Sequence, residues 1–123
     1  MRNGEIWLFR GKRIDNGEWV EGGIFADVND RRVYIIADCA YPVLNDSIGE
    51  YSGVKAKEGR RIFEGDMLTG LFHFGMSVTG VCEFRDGSFG MKWMRGAVEE
   101  FVPFTSMWNI ECEIVGNVSD SEG

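Results

Sequence analysis

Side chains in this chain change character at every second residue. Apolar and polar positions alternate in one short run after another, and the clearest pair of runs is joined by Asp86-Gly87. Period two is the spacing of extended backbone, whose successive side chains point to opposite faces. Asp-Gly accepts the positive φ angles that a two-residue hairpin turn demands. A chain so patterned is constrained to antiparallel strands closed by tight turns. Composition agrees: there are 17 Gly, 9 Phe and only 2 Pro in 123 residues, which suits turns and short strands better than long helices.

Read along the chain, residues 6–10 form a first strand. Asn16-Gly17 reads as a type I′ turn. Residues 19–28 run extended, with Gly22-Gly23 as a bulge, and 28–31 turn back into a β-branched strand at 32–37. Residues 38–48, with Pro42, Asn45 and Asp46, read as loop with one helical turn. Residues 50–55 are extended, 57–60 form a charged turn, and 61–63 enter the tight element Glu64-Gly65-Asp66. Strands follow at 67–74, 78–85 and 88–94. Residues 97–102 fit a short helix or a strand ended by Pro103, and 110–118 alternate again. The expectation is a single mainly-β domain of about eight short strands. It divides into an N-terminal β region at 1–49, a barrel-like region at 50–118 and a disordered tail at 119–123. A Gly-Asp step before an apolar strand suggests an SH3-like small barrel in the second half, by analogy of fold.

Charge narrows the function classes. The net charge is −7. Residues 1–61 hold 10 of the 13 Lys and Arg and 10 of the 20 Asp and Glu, so residues 62–123 carry the whole excess. A generally basic, phosphate-binding surface is excluded. Basic residues gather locally in two places: Arg10, Lys12 and Arg13 near Trp7, and Lys55, Lys57, Arg60 and Arg61 near Tyr51. The second loop is the candidate partner-binding site. No apolar run is long enough to cross a bilayer as a helix, and no signal-peptide pattern opens the chain. The three cysteines, Cys39, Cys82 and Cys112, include no CxxC spacing. They suit a reduced, cytoplasmic setting, with Cys82 and Cys112 on the apolar parity of their strands.

Catalytic and metal signatures are missing from the pattern. His73 is the sole histidine and has no second imidazole or paired thiol to share a metal. Ser77 lies near it without a nucleophile elbow. Glu64 and Asp66 alternate about Gly65 and can be read as a carboxylate pair. The turn reading is stronger: Gly65 supplies a backbone angle that other residues resist, and Asp66 accepts turn hydrogen bonds. No cofactor is expected. Met94 and Met107, if exposed, would suit a protein-binding patch.

The stretch from Tyr51 to Met67 resembles the YopX-like family, small proteins of bacterial phages and prophages. Tyr51, Gly53, Gly59, Ile62, Phe63, Glu64, Gly65 and Asp66 match its outline. The opening from Phe9 to Gly22, the hairpin from Gly80 to Phe89 and the close at Glu113 to Val118 are similar to the family too. Departures fall at Ser52, Ala56 and Ser119. The resemblance implies a mainly-β fold without an assigned enzyme activity, so it transfers no catalytic residues. Together these readings lead to the expectation of a non-enzymatic phage or prophage accessory protein. It would bind a protein partner, or a second copy of itself, in the bacterial cytoplasm. The alternative is a nucleic-acid-binding accessory protein using the loop from Lys55 to Arg61.

Overall fold

The computed structural model describes residues 8–71, 77–104 and 112–119. Its regular elements are strands, apart from one 3-10 turn at Asn45–Ser47. The strands are β1 (Phe9–Lys12), β2 (Trp19–Asp27), β3 (Arg32–Ile36), β4 (Ala40–Val43), β5 (Gly49–Lys55), β6 (Arg61–Phe63), β7 (Asp66–Leu71), β8 (Ser77–Arg85), β9 (Ser88–Arg95), β10 (Val98–Pro103) and β11 (Cys112–Asn117). The mainly-β expectation holds, with eleven strands among the described residues in place of about eight. Contacts divide the chain into two compact units, residues 1–51 and 52–123.

In the first unit β1 to β4 form an antiparallel meander, and β5 adds to the other side of β1. The long β2 changes partner in mid-course. Its residues up to Gly22 pair with β1, and those from Gly23 onward pair with β3. This change of partner stands where the Gly22-Gly23 bulge was expected. The chain just beyond β1 then returns to β4. Arg13 bridges Val43, Ile14 N–H donates to the Pro42 carbonyl at 3.0 Å, and Leu44 N–H donates to the Lys12 carbonyl at 2.9 Å. Among the described residues of this unit, Ile35 and Val43 are the buried apolar side chains. Residues 38–48 therefore are not simply loop. The helical turn is present, but Pro42 sits inside a strand, where its carbonyl is the group that is used. A proline is tolerated where the ladder needs no N–H from it.

The two hairpin signals differ in outcome. Asp86 and Gly87 take φ 53° and 84°, and Arg85 pairs directly with Ser88, as a two-residue turn with both φ positive requires. At Asn16-Gly17 only Gly17 is left-handed, with φ 76°. The loop is longer there. Arg13 N–H donates to the Glu18 carbonyl at 2.8 Å, and Gly17 N–H donates to the Arg13 carbonyl at 3.0 Å. Asn16 uses its side chain instead, accepting from Glu18 N–H at 2.9 Å.

The second unit carries an antiparallel five-stranded sheet in the order β10-β9-β8-β7-β11. β10 and β11 stand at its opposite edges and are not paired with each other among the described residues. The barrel closure expected in this half is thus not found in that sheet. Residues 98–103, left open between helix and strand, are β10. The unit's core is Ala56, Ile62, Leu68, Cys82, Met91 and Cys112, with Trp93, Phe89, Val102 and Ile114 packed against it. Phe84 shares the parity of Cys82 yet is exposed at the end of its strand, stacked edge-on against Phe89 with ring centroids 4.8 Å apart. His73, Trp7, Met107 and Trp108 lie outside the described residues, as does the expected tail from 120 onward. Ser119 is in a turn, and its N–H donates to Asn117 Oδ1 at 2.8 Å.

Candidate functional site

Glu64-Gly65-Asp66 joins β6 to β7. The turn reverses direction through Gly65 at φ 95°, a region that disfavours any side chain with a Cβ. The reversal lets Gly65 N–H donate to the Cys82 carbonyl at 2.9 Å, and lets the Gly65 carbonyl accept from Val118 N–H at 3.0 Å. Asp66 then turns its carboxylate inward, where it is 1% exposed. One oxygen, Oδ2, accepts from the Phe63 N–H at 2.8 Å. The other, Oδ1, accepts from Asn117 Nδ2 at 3.2 Å, across 51 residues of chain. Asn117 is buried as well. The Glu-Gly-Asp turn and the Gly-Asn close thus meet in space as a clasp of backbone and side-chain hydrogen bonds.

This geometry bears on chemistry. A carboxylate sealed from solvent and already serving as acceptor for the turn is poorly placed to relay protons to a substrate. Glu64 is only half-buried and belongs to the same turn. Among the described residues no group of three or more His, Cys, Asp or Glu is arranged to hold a metal ion. Asn117 was not singled out as a site residue. Its signal in the sequence was membership of the closing family-like stretch, and only the fold reveals that this stretch ends on Asp66.

The remaining motif residues act each within its own unit. Tyr51 N–H donates to the Leu8 carbonyl at 2.8 Å within the first unit. Gly53 and Gly59 both take positive φ, 87° and 93°. Gly59 N–H donates to the Ala56 carbonyl, and Ala56 N–H donates to the Arg60 carbonyl, both at 2.8 Å, closing the turn between β5 and β6. Ala56, where the family pattern often has Asp, is buried in the core of the second unit and not on the turn's surface.

The basic loop is exposed as expected, but its charges are not a uniform patch. Lys57 Nζ lies 3.1 Å from Glu113 on β11, and Arg60 lies 3.9 Å from Glu58. Lys55 and Arg61 flank this turn at the end of β5 and the start of β6. The first basic cluster meets two aromatics among the described residues, while Trp7, the neighbour expected for it, lies outside them. The Arg10 guanidinium sits 4.4 Å and Lys12 Nζ 5.8 Å from the Trp19 ring centroid, and Arg13 lies 4.4 Å over Tyr41. Arg13 also grips Asp15 with two hydrogen bonds, at 3.0 Å and 2.7 Å. That contact holds the Asp15 carboxyl below its usual range.

Cys82 and Cys112 are buried and Cys39 is exposed, none of the three in a disulfide. Burial pushes the Cys112 thiol above its ordinary pKa, because the thiolate would lose its hydration. In the native protein a thiol reagent is expected to label Cys39 first. Cys82 and Cys112 should follow on the order of a hundredfold more slowly, through local opening. Peptide mapping of the labelled sites over time checks this.

No helix among the described residues is long and apolar enough to cross a membrane. No curated protein matches this chain. The family model for the YopX protein matches residues 8–122, which span the turn, the clasp and both hairpins; on that match the chain belongs to the YopX family.

Proposed function

We propose that this chain is a non-catalytic binding protein of phage or prophage origin, acting on a protein partner in the bacterial cytoplasm. The observation that carries the reading is an apolar face on the first unit. Phe25, Tyr34 and Pro42 form one cross-strand row, and Gly23, Ile36 and Ala40 the next row on the same face. Phe25 is 53% and Ile36 42% exposed. A face of this kind, with aromatic and aliphatic side chains in two rows and charge at its border, where Tyr34 O–H donates to Asp30 and Asp27 pairs with Arg32, suits a protein surface better than a phosphate backbone. The first unit also supports an SH3-like reading. Its strand order is β5-β1-β2-β3-β4, a 3-10 turn precedes β5, and the chain after β1 bridges back to β4. Such folds serve many binding roles, so topology alone assigns no partner.

The rival reading, nucleic acid held by Lys55, Lys57, Arg60 and Arg61, is weakened by the glutamates paired with Lys57 and Arg60. Each such pair lowers the charge available for displacing counterions. The test has two arms. Immobilised protein should capture a defined protein from lysate of phage-carrying bacteria, and a Phe25→Ser/Ile36→Ser variant with an unchanged melt should lose it. Single-stranded DNA and RNA should bind more weakly than about 10⁻⁵ M at physiological salt. Tight, salt-sensitive nucleic-acid binding that a quadruple alanine variant of the basic loop abolishes would overturn the proposal.

A further inference from the structure

The loop between β1 and β2 places an asparagine directly before a glycine on an exposed turn. Asn-Gly is the sequence at which a side-chain amide is most open to attack by the next backbone nitrogen, since glycine adds no Cβ to block the approach. We infer that Asn16 is a deamidation site whose rate is governed by opening of the β1–β2 hairpin. In the reaction Gly17 N gives up its proton and adds to Asn16 Cγ. The new N–C bond closes a five-membered imide, the Cγ–Nδ2 bond breaks, and the side-chain nitrogen takes from water a proton equivalent to the one Gly17 gave up to solvent and leaves as ammonia. Water then opens the imide at either carbonyl, leaving aspartate or isoaspartate at position 16.

The folded hairpin engages both reacting groups. Gly17 N–H donates to the Arg13 carbonyl at 3.0 Å, so the nitrogen that must be deprotonated is held as a donor. Asn16 Oδ1 accepts from Glu18 N–H at 2.9 Å, which fixes the side-chain amide toward Glu18. Arg13, whose carbonyl accepts the Gly17 N–H, is itself anchored by its two hydrogen bonds to Asp15, by its contact over Tyr41 and by its bridge to Val43. Attack on Cγ therefore requires the loop to open first. The products differ in consequence. Aspartate retains an oxygen that can accept from Glu18 N–H. Isoaspartate adds a methylene to the backbone, which breaks the Arg13–Gly17 closure and with it the register of β1 on β2.

The experiment incubates the full chain in mildly alkaline buffer, with and without denaturing urea, beside a synthetic peptide of residues 11–20. Peptide mass mapping follows conversion at position 16, and hydrogen exchange follows the Gly17 amide. The peptide and the denatured chain should convert at similar rates. The native chain should convert at least about tenfold more slowly, in proportion to the protection of the Gly17 amide. Arg13→Ala should raise the native rate toward that of the peptide. If this variant does not fold, the wild-type comparison with and without urea still decides the matter. Equal rates in native and denatured chains would overturn the gating, and no conversion in the denatured chain would overturn the site.

Discussion

Replacing Asp66 by alanine is expected to lower the unfolding midpoint of the second unit by on the order of 10 °C. The side chain is 1% exposed and accepts from the Phe63 N–H and from Asn117 Nδ2. Truncation withdraws the acceptor from two buried donors and leaves a small void where the side chain stood. Losing a buried acceptor costs about 1–3 kcal/mol, more when the group is charged. Asn117→Ala removes one arm of the clasp and should cost less. Because both variants break the same Oδ1–Nδ2 contact, the double variant should fall short of the summed losses by roughly 1 kcal/mol. Thermal melts of the three variants, followed by circular dichroism and by tryptophan fluorescence, measure this. Additive losses would mean that Asp66 and Asn117 stabilise their strands independently, and the clasp would then not be the reason the two motif ends lie together.

The clasp also shows what could be read from the sequence and what could not. The turn at Gly65 was legible because a Gly-Asp step before an apolar run has a local cause in backbone sterics and side-chain hydrogen bonding. Its partner was not legible, since nothing local at Asn117 says which of many turns it will meet. The same division explains the hairpins. Asp86-Gly87 is flanked by strands whose alternation continues up to the turn, so the two-residue connection follows. At Asn16-Gly17 the neighbours Asp15 and Glu18 are drawn into contacts with Arg13. The loop lengthens to make them, and Asn16 has no need of a positive φ. β4 was missed because Pro42 is ordinarily a sign of loop. What makes it a strand residue is the return of the chain after β1 to use its carbonyl, a contact from 28 residues earlier in the sequence. Cys82 and Cys112 were legible as core by parity alone. Phe84 was not, because parity says which face a side chain takes and not whether the strand still has a neighbour above it.

Gly22 and Gly23 are adjacent in one strand, and their replacements by alanine should behave very differently. A Cβ at Gly22 would lie 2.0 Å from the Ile36 carbonyl oxygen, 2.8 Å from the Ile36 carbonyl carbon and 3.3 Å from Ile35 Cγ2. Two of these atoms are backbone, so no rotamer change relieves the clash. β3 would have to move away from β2 at the point where β2 exchanges β1 for β3 as its partner. The movement would drag Ile35, which is fully buried, out of its packing. Overpacking that forces backbone shifts costs about 1–3 kcal/mol, occasionally more, and Gly22→Ala belongs at or beyond the upper end of that range. At Gly23 an added Cβ meets nothing within 4 Å. Gly23→Ala should therefore stay within about 0.5 kcal/mol of the parent, with a small gain possible from the stiffer unfolded chain. Urea denaturation of both variants gives the comparison, and hydrogen exchange of the β3 amides localises the damage. Equal midpoints for the two would show that β2 and β3 can separate at the crossover without loss. The pairing change at Gly22 would then be an incidental bend and not the point on which the first unit closes.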